Sequence, residues 1–220
     1  MLGVSLCLGL FAAASALAHP ASDGEAHSTP CQPDPHLPRY GLFGGLTDRV
    51  TYFGLDAKHQ LVESSRATHK TFNASFEVCT ALGPAATTDT ALDSPVLGRI
   101  VLTPSIGGPH ACMTVVNPHD AGTGAPLFAR AAPCAGDVVP AVGQRWIYGY
   151  ISDYGGMFWV GDAATPGHKD GYGILEKRKN ATYSSLIVDR EGKIELARRT
   201  HLAKGTDVLD FEFLCVGDDC

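Results

Sequence analysis

The chain has 220 residues, a net charge of −6, and acids and bases interspersed along its length. With no basic stripe and no Lys/Arg block, nucleic acid is excluded as a natural partner, and without a basic amphipathic helix so is a membrane surface. The length fits one large all-β domain, with core enough to fold without depending on disulfides alone.

The first element is an apolar run, LGVSLCLGLFAAASALA, followed by His19-Pro20. Its length and the small-x-small pattern of Ala16-Leu17-Ala18 predict a secretory signal peptide over residues 1–18, cut after Ala18. The n-region carries only the terminal amine; the competing reading is a buried N-terminal helix. No other segment is long and apolar enough to span a bilayer, so the expected protein is secreted and extracellular. Residues 19–38 are polar and rich in Pro and His, and read as an extended leader anchored at Cys31. Cys7 leaves with the signal. Cys31, Cys79, Cys112, Cys134, Cys215 and Cys220 remain, an even set that an exported chain uses for disulfides. None is spaced C-x-x-C, so zinc-finger and thioredoxin readings lack support. Asn73-Ala74-Ser75 and Asn180-Ala181-Thr182 are N-glycosylation sequons.

Residues 39–220 form the expected domain. Gly and Pro punctuate it about every ten residues, and the segments between are short and rich in Val, Ile, Leu, Phe and Thr, which predicts many short strands. Three stretches follow one plan. Residues 39–81 read GLFGGLTD, RVTYFGLD, QLVESS, ASFEVC, with Asp56 opening the turn. Residues 98–151 read GRIVLTP, ACMTVVN, APLFAR, GQRWIYG, with Asn117 in that place. Residues 172–216 read GILEKR, SLIVD, KIELARR, DFEFLCV, with Asp189 there. One four-stranded unit cannot bury its apolar face alone, but three around an axis can close six strands into a barrel capped by three hairpins. The expected fold is all-β: a β-trefoil of three four-stranded repeats with pseudo-threefold symmetry. The alternative is a β-sandwich.

In the middle unit the second strand starts at Cys112 and the third runs into Pro133-Cys134. Hairpin strands bring their outer ends together, so a Cys112–Cys134 bond would staple the unit. Gln144-Arg145-Trp146 opens the fourth strand, with Trp146 placed for the core and Gln144 for local backbone groups. This order resembles the ricin B-chain-like β-trefoil lectin family, with its Cys-headed second strand, a Cys after the third, and a Q-x-W fourth strand. Phe76 and Phe213 stand where the other units would carry the Trp. The resemblance implies binding of galactose-type sugars in shallow pockets, through an Asp on the second strand, a stacking ring and an Asn or Gln. That Asp position falls on Thr114, on Leu186 or Ile187, and on Tyr52 or Phe53, none of them acidic.

Candidate sugar-binding residues are therefore the turn acids Asp56, Asp120 and Asp189, which equally form Asx turns. Asp189 is favoured because Tyr183, Arg190 and Glu191 are near it in sequence. A second candidate surface is ISDYGGMFWVGD, where Tyr154, Phe158 or Trp159 would stack on glycan if exposed and would be core if not. Nothing pairs a nucleophile with a base, and no metal motif or cofactor signature occurs. The expected activity is glycan or polysaccharide binding without catalysis. The rivals need a protein partner: a protease inhibitor presenting residues 103–110 or 163–170 as a stiff loop, or a scaffold whose sugar site is lost. Cys31, Cys79, Cys215 and Cys220 are expected to pair as well, in any of three ways.

Overall fold

In the computed structural model of the protein, the described residues are 29–33, 41–46, 50–69, 72–85, 93–102, 111–151, 154–163, 171–180, 183–198, 200 and 202–214. Every regular element among them is a strand or a short 3-10 turn, and every strand pairing is antiparallel. Composition is the cause: β-branched and aromatic side chains crowd the segments between glycines and prolines, and they fit a pleated surface better than a helix. Among the described residues no helix is long and apolar enough to cross a membrane.

Six strands pair in a closed circuit. A two-residue strand, β1 (Gln32–Pro33), lies outside it against β5. In the circuit, β2 (Gly41–Leu46) pairs with β5 (Asn73–Val78), Gly41 opposite Ala74. Next, β5 pairs with β6 (Asp93–Leu102), and β6 with β9 (Trp146–Ile151), where Gly98 faces Trp146. Then β9 pairs with β10 (Tyr154–Trp159), setting Trp146 opposite Trp159. Finally β10 pairs with β15 (Phe211–Leu214), and β15 returns to β2 with Phe213 opposite Phe43. A closed circuit leaves none of these six strands with a bare edge.

Three hairpins sit beside the circuit: β3 (Val50–Leu55) with β4 (Leu61–Glu63), β7 (Ala111–Val116) with β8 (Phe128–Pro133), and a third from β12 (Tyr183–Leu186) through Val188 and Ile194 to β13 (Leu196–Arg198). Each hairpin bonds to both others. Ala131 N–H donates to His59 O at 2.9 Å, Ile194 N–H to Leu61 O at 3.1 Å, and Leu196 N–H to Leu127 O at 2.8 Å. The Lys193 ammonium also lies 5.0 Å from the centre of the Phe128 ring. The third region is the most elaborate, because β11 (Tyr172–Asn180) pairs with β10, β12, β13 and β14 (Thr206–Leu209).

Strand alternation splits the apolar residues into two clusters. Trp146 and Tyr148 of β9, Met157 and Trp159 of β10, and Phe211 of β15 point to one side and join Phe53, Phe76, Ile100 and Met113 in the main core. Ile147, Phe158, Leu97 and Val208 point to the other side, where Ala85 and Val160 complete a second cluster. So β9 and β10 are apolar on both faces, as buried strands are. The approach of β5 to β6 is close enough to require glycine at 98. A Cβ there would lie 1.9 Å from Glu77 O and 2.6 Å from the Phe76 ring. Gly98→Ala should therefore cost about 1–3 kcal/mol by overpacking, read as a lower urea midpoint.

The strand spans refine the expected units. β2 to β5 lie within 39–81, and β6 begins at Asp93, ahead of Gly98. The expected third unit began at 172, yet the circuit strand that pairs with β15 is β10, upstream of it. Phe211, the first residue of β15, holds the place that Trp146 holds in β9, and its ring meets Trp146 edge-on at 5.3 Å. Phe213, expected there, aligns with Tyr148 and stacks on it at 6.3 Å. The Cys112–Cys134 bond is formed as expected, with Cα atoms 4.9 Å apart. A second bond joins Cys31 to Cys79, Cα atoms 4.2 Å apart. Cys215 and Cys220 lie outside the described residues, as do the signal segment and most of the leader.

Candidate functional site

Two of the three turn acids, Asp56 and Asp189, cap their own turns. Asp56 Oδ1 accepts the N–H groups of Lys58 and Gln60, each at 2.8 Å. Asp189 Oδ1 does the same for Glu191 and Lys193, each at 2.9 Å. The two turns are built alike: the fourth residue, His59 or Gly192, has positive φ, 62° or 86°, and its N–H donates back to the carbonyl of the acid. Asp189 Oδ2 also meets Lys193 Nζ at 3.1 Å. Partial burial opposes ionisation of Asp189, but the Lys193 N–H and ammonium outweigh it and hold the carboxyl below its ordinary range. Asp120 ends the 3-10 turn Pro118–Asp120, and its carbonyl accepts the Thr123 hydroxyl at 2.7 Å. Each acid belongs to a different hairpin.

The aromatic candidates behave differently from one another. Phe158 and Trp159 are fully buried, and Trp159 Nε1 donates to Val142 O at 3.0 Å. Neither ring is a stacking surface, because alternation sends both into apolar clusters. Tyr154 and Tyr183 lie in β10 and β12, with side chains outside the described residues, as is that of Asn180. Residues 103–110 and 164–170, the proposed stiff loops, also lie outside them. Asn73 is exposed at the start of β5.

The Q-x-W pair is structural. Gln144 is buried; its Nε2 donates to Thr114 Oγ1 and Pro133 O, both at 2.9 Å, and its Oε1 accepts Ala135 N–H at 2.8 Å. That ties the two strands of the second hairpin beside its disulfide, and it occupies Thr114, one of the positions where an acid was sought. Trp146 Nε1 donates to Met113 O at 3.1 Å.

A cleft of about 600 Å³ opens where the turn of the second hairpin meets the third region. Gly124, Ala125 and Pro126 form one wall; Tyr172, Leu175, Glu195, Arg198, Leu202 and Thr206 form much of the rest. Register explains the lining. Tyr172 is opposite Arg198 across β11 and β13, so the two side chains are same-face neighbours. Glu195 bonds through its carbonyl to Leu175 N–H at 2.9 Å and alternates onto the other face. Trp159 is in register with Tyr172 and meets its ring edge-on at 5.3 Å. The Trp singled out as a platform is thus the buttress of a half-buried Tyr that lines the cleft. Burial, with a smaller contribution from the Asp189 charge, pushes the Glu195 carboxyl above its ordinary range.

Tyr172, Glu195 and Arg198 were not singled out from sequence. KIELARR reads as a strand, but nothing in it shows that a turn from another unit faces it. Among the described residues no cluster of three metal-ligating side chains forms. No family model, curated protein or solved structure matches the chain.

Proposed function

We propose that the protein is a secreted, non-catalytic carbohydrate-binding protein, built as a β-trefoil of ricin B-chain-like type, with its sugar site in the cleft beside Tyr172. The closed six-strand circuit and the three mutually bonded hairpins support the trefoil. The Cys112–Cys134 bond beside Gln144 and Trp146 supports the family resemblance. Two disulfides support export.

The cleft carries the functional reading. It combines a fixed aromatic ring, a carboxyl and a guanidinium with apolar walls. A sugar presents one C–H-rich face and a rim of hydroxyls, which match a ring and charged hydrogen-bonding groups. Asp56 and Asp189 are a poorer match, since in each the Oδ1 already holds two backbone N–H groups.

The test is a glycan array probed with the disulfide-intact protein, followed by titration of the best ligand. Saturable binding is expected, weakened roughly tenfold or more by Tyr172→Ala, since stacking and its buried area contribute on the order of 1–3 kcal/mol. Asp56→Asn and Asp189→Asn should leave affinity unchanged. Silence across the array, or loss of binding through the turn acids and not Tyr172, would overturn the assignment.

A further inference from the structure

We infer that His59 and His69 form a transition-metal site, in which two imidazoles hold one ion of the zinc, nickel or copper class on the first hairpin. The site is separate from the cleft and does not depend on the carbohydrate reading.

Backbone bonds bring the two residues together across ten positions of sequence. His59 lies in the turn that follows Leu55, where its N–H donates to Asp56 O at 2.9 Å. The chain then runs through β4 and the 3-10 turn Ser64–Arg66 and comes back to Leu55. There His69 N–H donates to Leu55 O at 2.9 Å and His69 O accepts Leu55 N–H at 3.0 Å. The second hairpin adds a further bond, from Ala131 N–H to His59 O at 2.9 Å. Both Cα positions are therefore fixed without any contribution from the rings. The rings meet edge-on, with centres 6.3 Å apart.

A neutral imidazole carries one acceptor nitrogen and is the commonest side-chain ligand for these ions. Both side chains are half-buried, and among the described residues neither is held by a hydrogen bond. A nitrogen bound at about 2.0–2.1 Å sets the ion roughly 3.2 Å from the ring centre, so one ion serves two rings whose centres lie within about 6.4 Å. The spacing falls just inside that reach, and the broad χ2 of histidine lets the nitrogens turn inward. Two ligands fall short of the four of a closed site, so water completes the shell at the exposed side. Two cations lie near, Lys58 on the same turn and Arg130 opposite Gln60; both are exposed, where solvent screens them, and Asp56 offsets one.

The experiment is calorimetric titration of the chelator-treated, disulfide-intact protein with zinc chloride and nickel chloride at pH 7.5. We expect one ion per chain with micromolar affinity, and a rise in the urea midpoint that EDTA reverses, because the ion binds the folded pair. His59→Asn keeps a residue tolerant of positive φ. That variant and His69→Gln should each weaken binding roughly tenfold or more, since losing a ligand costs at least as much as losing a supporting contact. His119→Gln, on the second hairpin, should change nothing. The unmodified protein gives the same answer without relying on any variant to fold: substoichiometric nickel should broaden the ring-proton signals of two histidines ahead of the rest. No binding, binding that survives both substitutions, or broadening spread evenly over the other histidines would overturn the inference.

Discussion

Replacing Glu212 with glutamine should flatten the dependence of stability on pH between about 5 and 8. Glu212 is in the middle of the circuit, opposite Gly44 on β2 and Gly156 on β10, and is 5% exposed. Burial, then the Asp210 charge and a hydrogen bond with Asp210, push its carboxyl up from 4.5 to about 8. The folded state therefore favours the protonated form. Its contribution is complete below 4.5, where both states hold the proton, and is lost progressively as the pH rises toward 8. At 1.36 kcal/mol per unit the full effect is at most about 5 kcal/mol, and local relaxation brings it to a few. The wild-type urea midpoint should fall steadily from pH 5 to 8, while Glu212→Gln, always neutral and able to hydrogen-bond Asp210, should hold its midpoint. Parallel pH profiles for the two proteins would show that Glu212 ionises freely in the fold. The consequence reaches past one residue, because β15 is where the circuit returns to β2.

Local chemistry is what made parts of this fold legible. Asp56 and Asp189 announce turns because an Asx side chain bonds to N–H groups two and four residues on, whatever surrounds it. Cys112 and Cys134 pair because hairpin strands bring their ends together. The Cys31–Cys79 bond has no local cause: it depends on β1 lying against β5, and on the Cys31 N–H reaching Asp137 O at 2.7 Å in a different unit. The place of β10 in the circuit was hidden by its own burial. Apolar residues on both faces erase the alternation that marks a strand's inner side, so Phe158 and Trp159 looked like one aromatic patch although they enter separate clusters. The cleft was illegible for a further reason. Pro126 and Arg198 line one cleft because Leu196 N–H bonds to Leu127 O across two hairpins, a contact with no mark in either segment.

The second large effect is expected at Trp146. The indole is completely buried at the start of β9, between Gly98 of β6 and Trp159 of β10 in register. It meets Phe211 edge-on, and its N–H holds Met113 O. It therefore contacts three of the circuit strands and one hairpin at once. Trp146→Ala removes the largest kind of core side chain from a place where Gly98 supplies no Cβ to fill the gap. Transfer and cavity terms together come to about 3–5 kcal/mol, and the Met113 carbonyl left without its donor adds about 1 kcal/mol. Against a total of roughly 5–15 kcal/mol for a domain, that is enough to lower the yield of folded protein sharply. Trp146→Phe separates the contributions: it keeps most of the volume and the edge contact but gives up the hydrogen bond, and should cost about 1–2 kcal/mol. Urea denaturation of both variants measures the difference. A cost below about 1 kcal/mol for the alanine variant would mean that β6, β9 and β10 close over the vacated space, and that Trp146 fills the barrel without organising it.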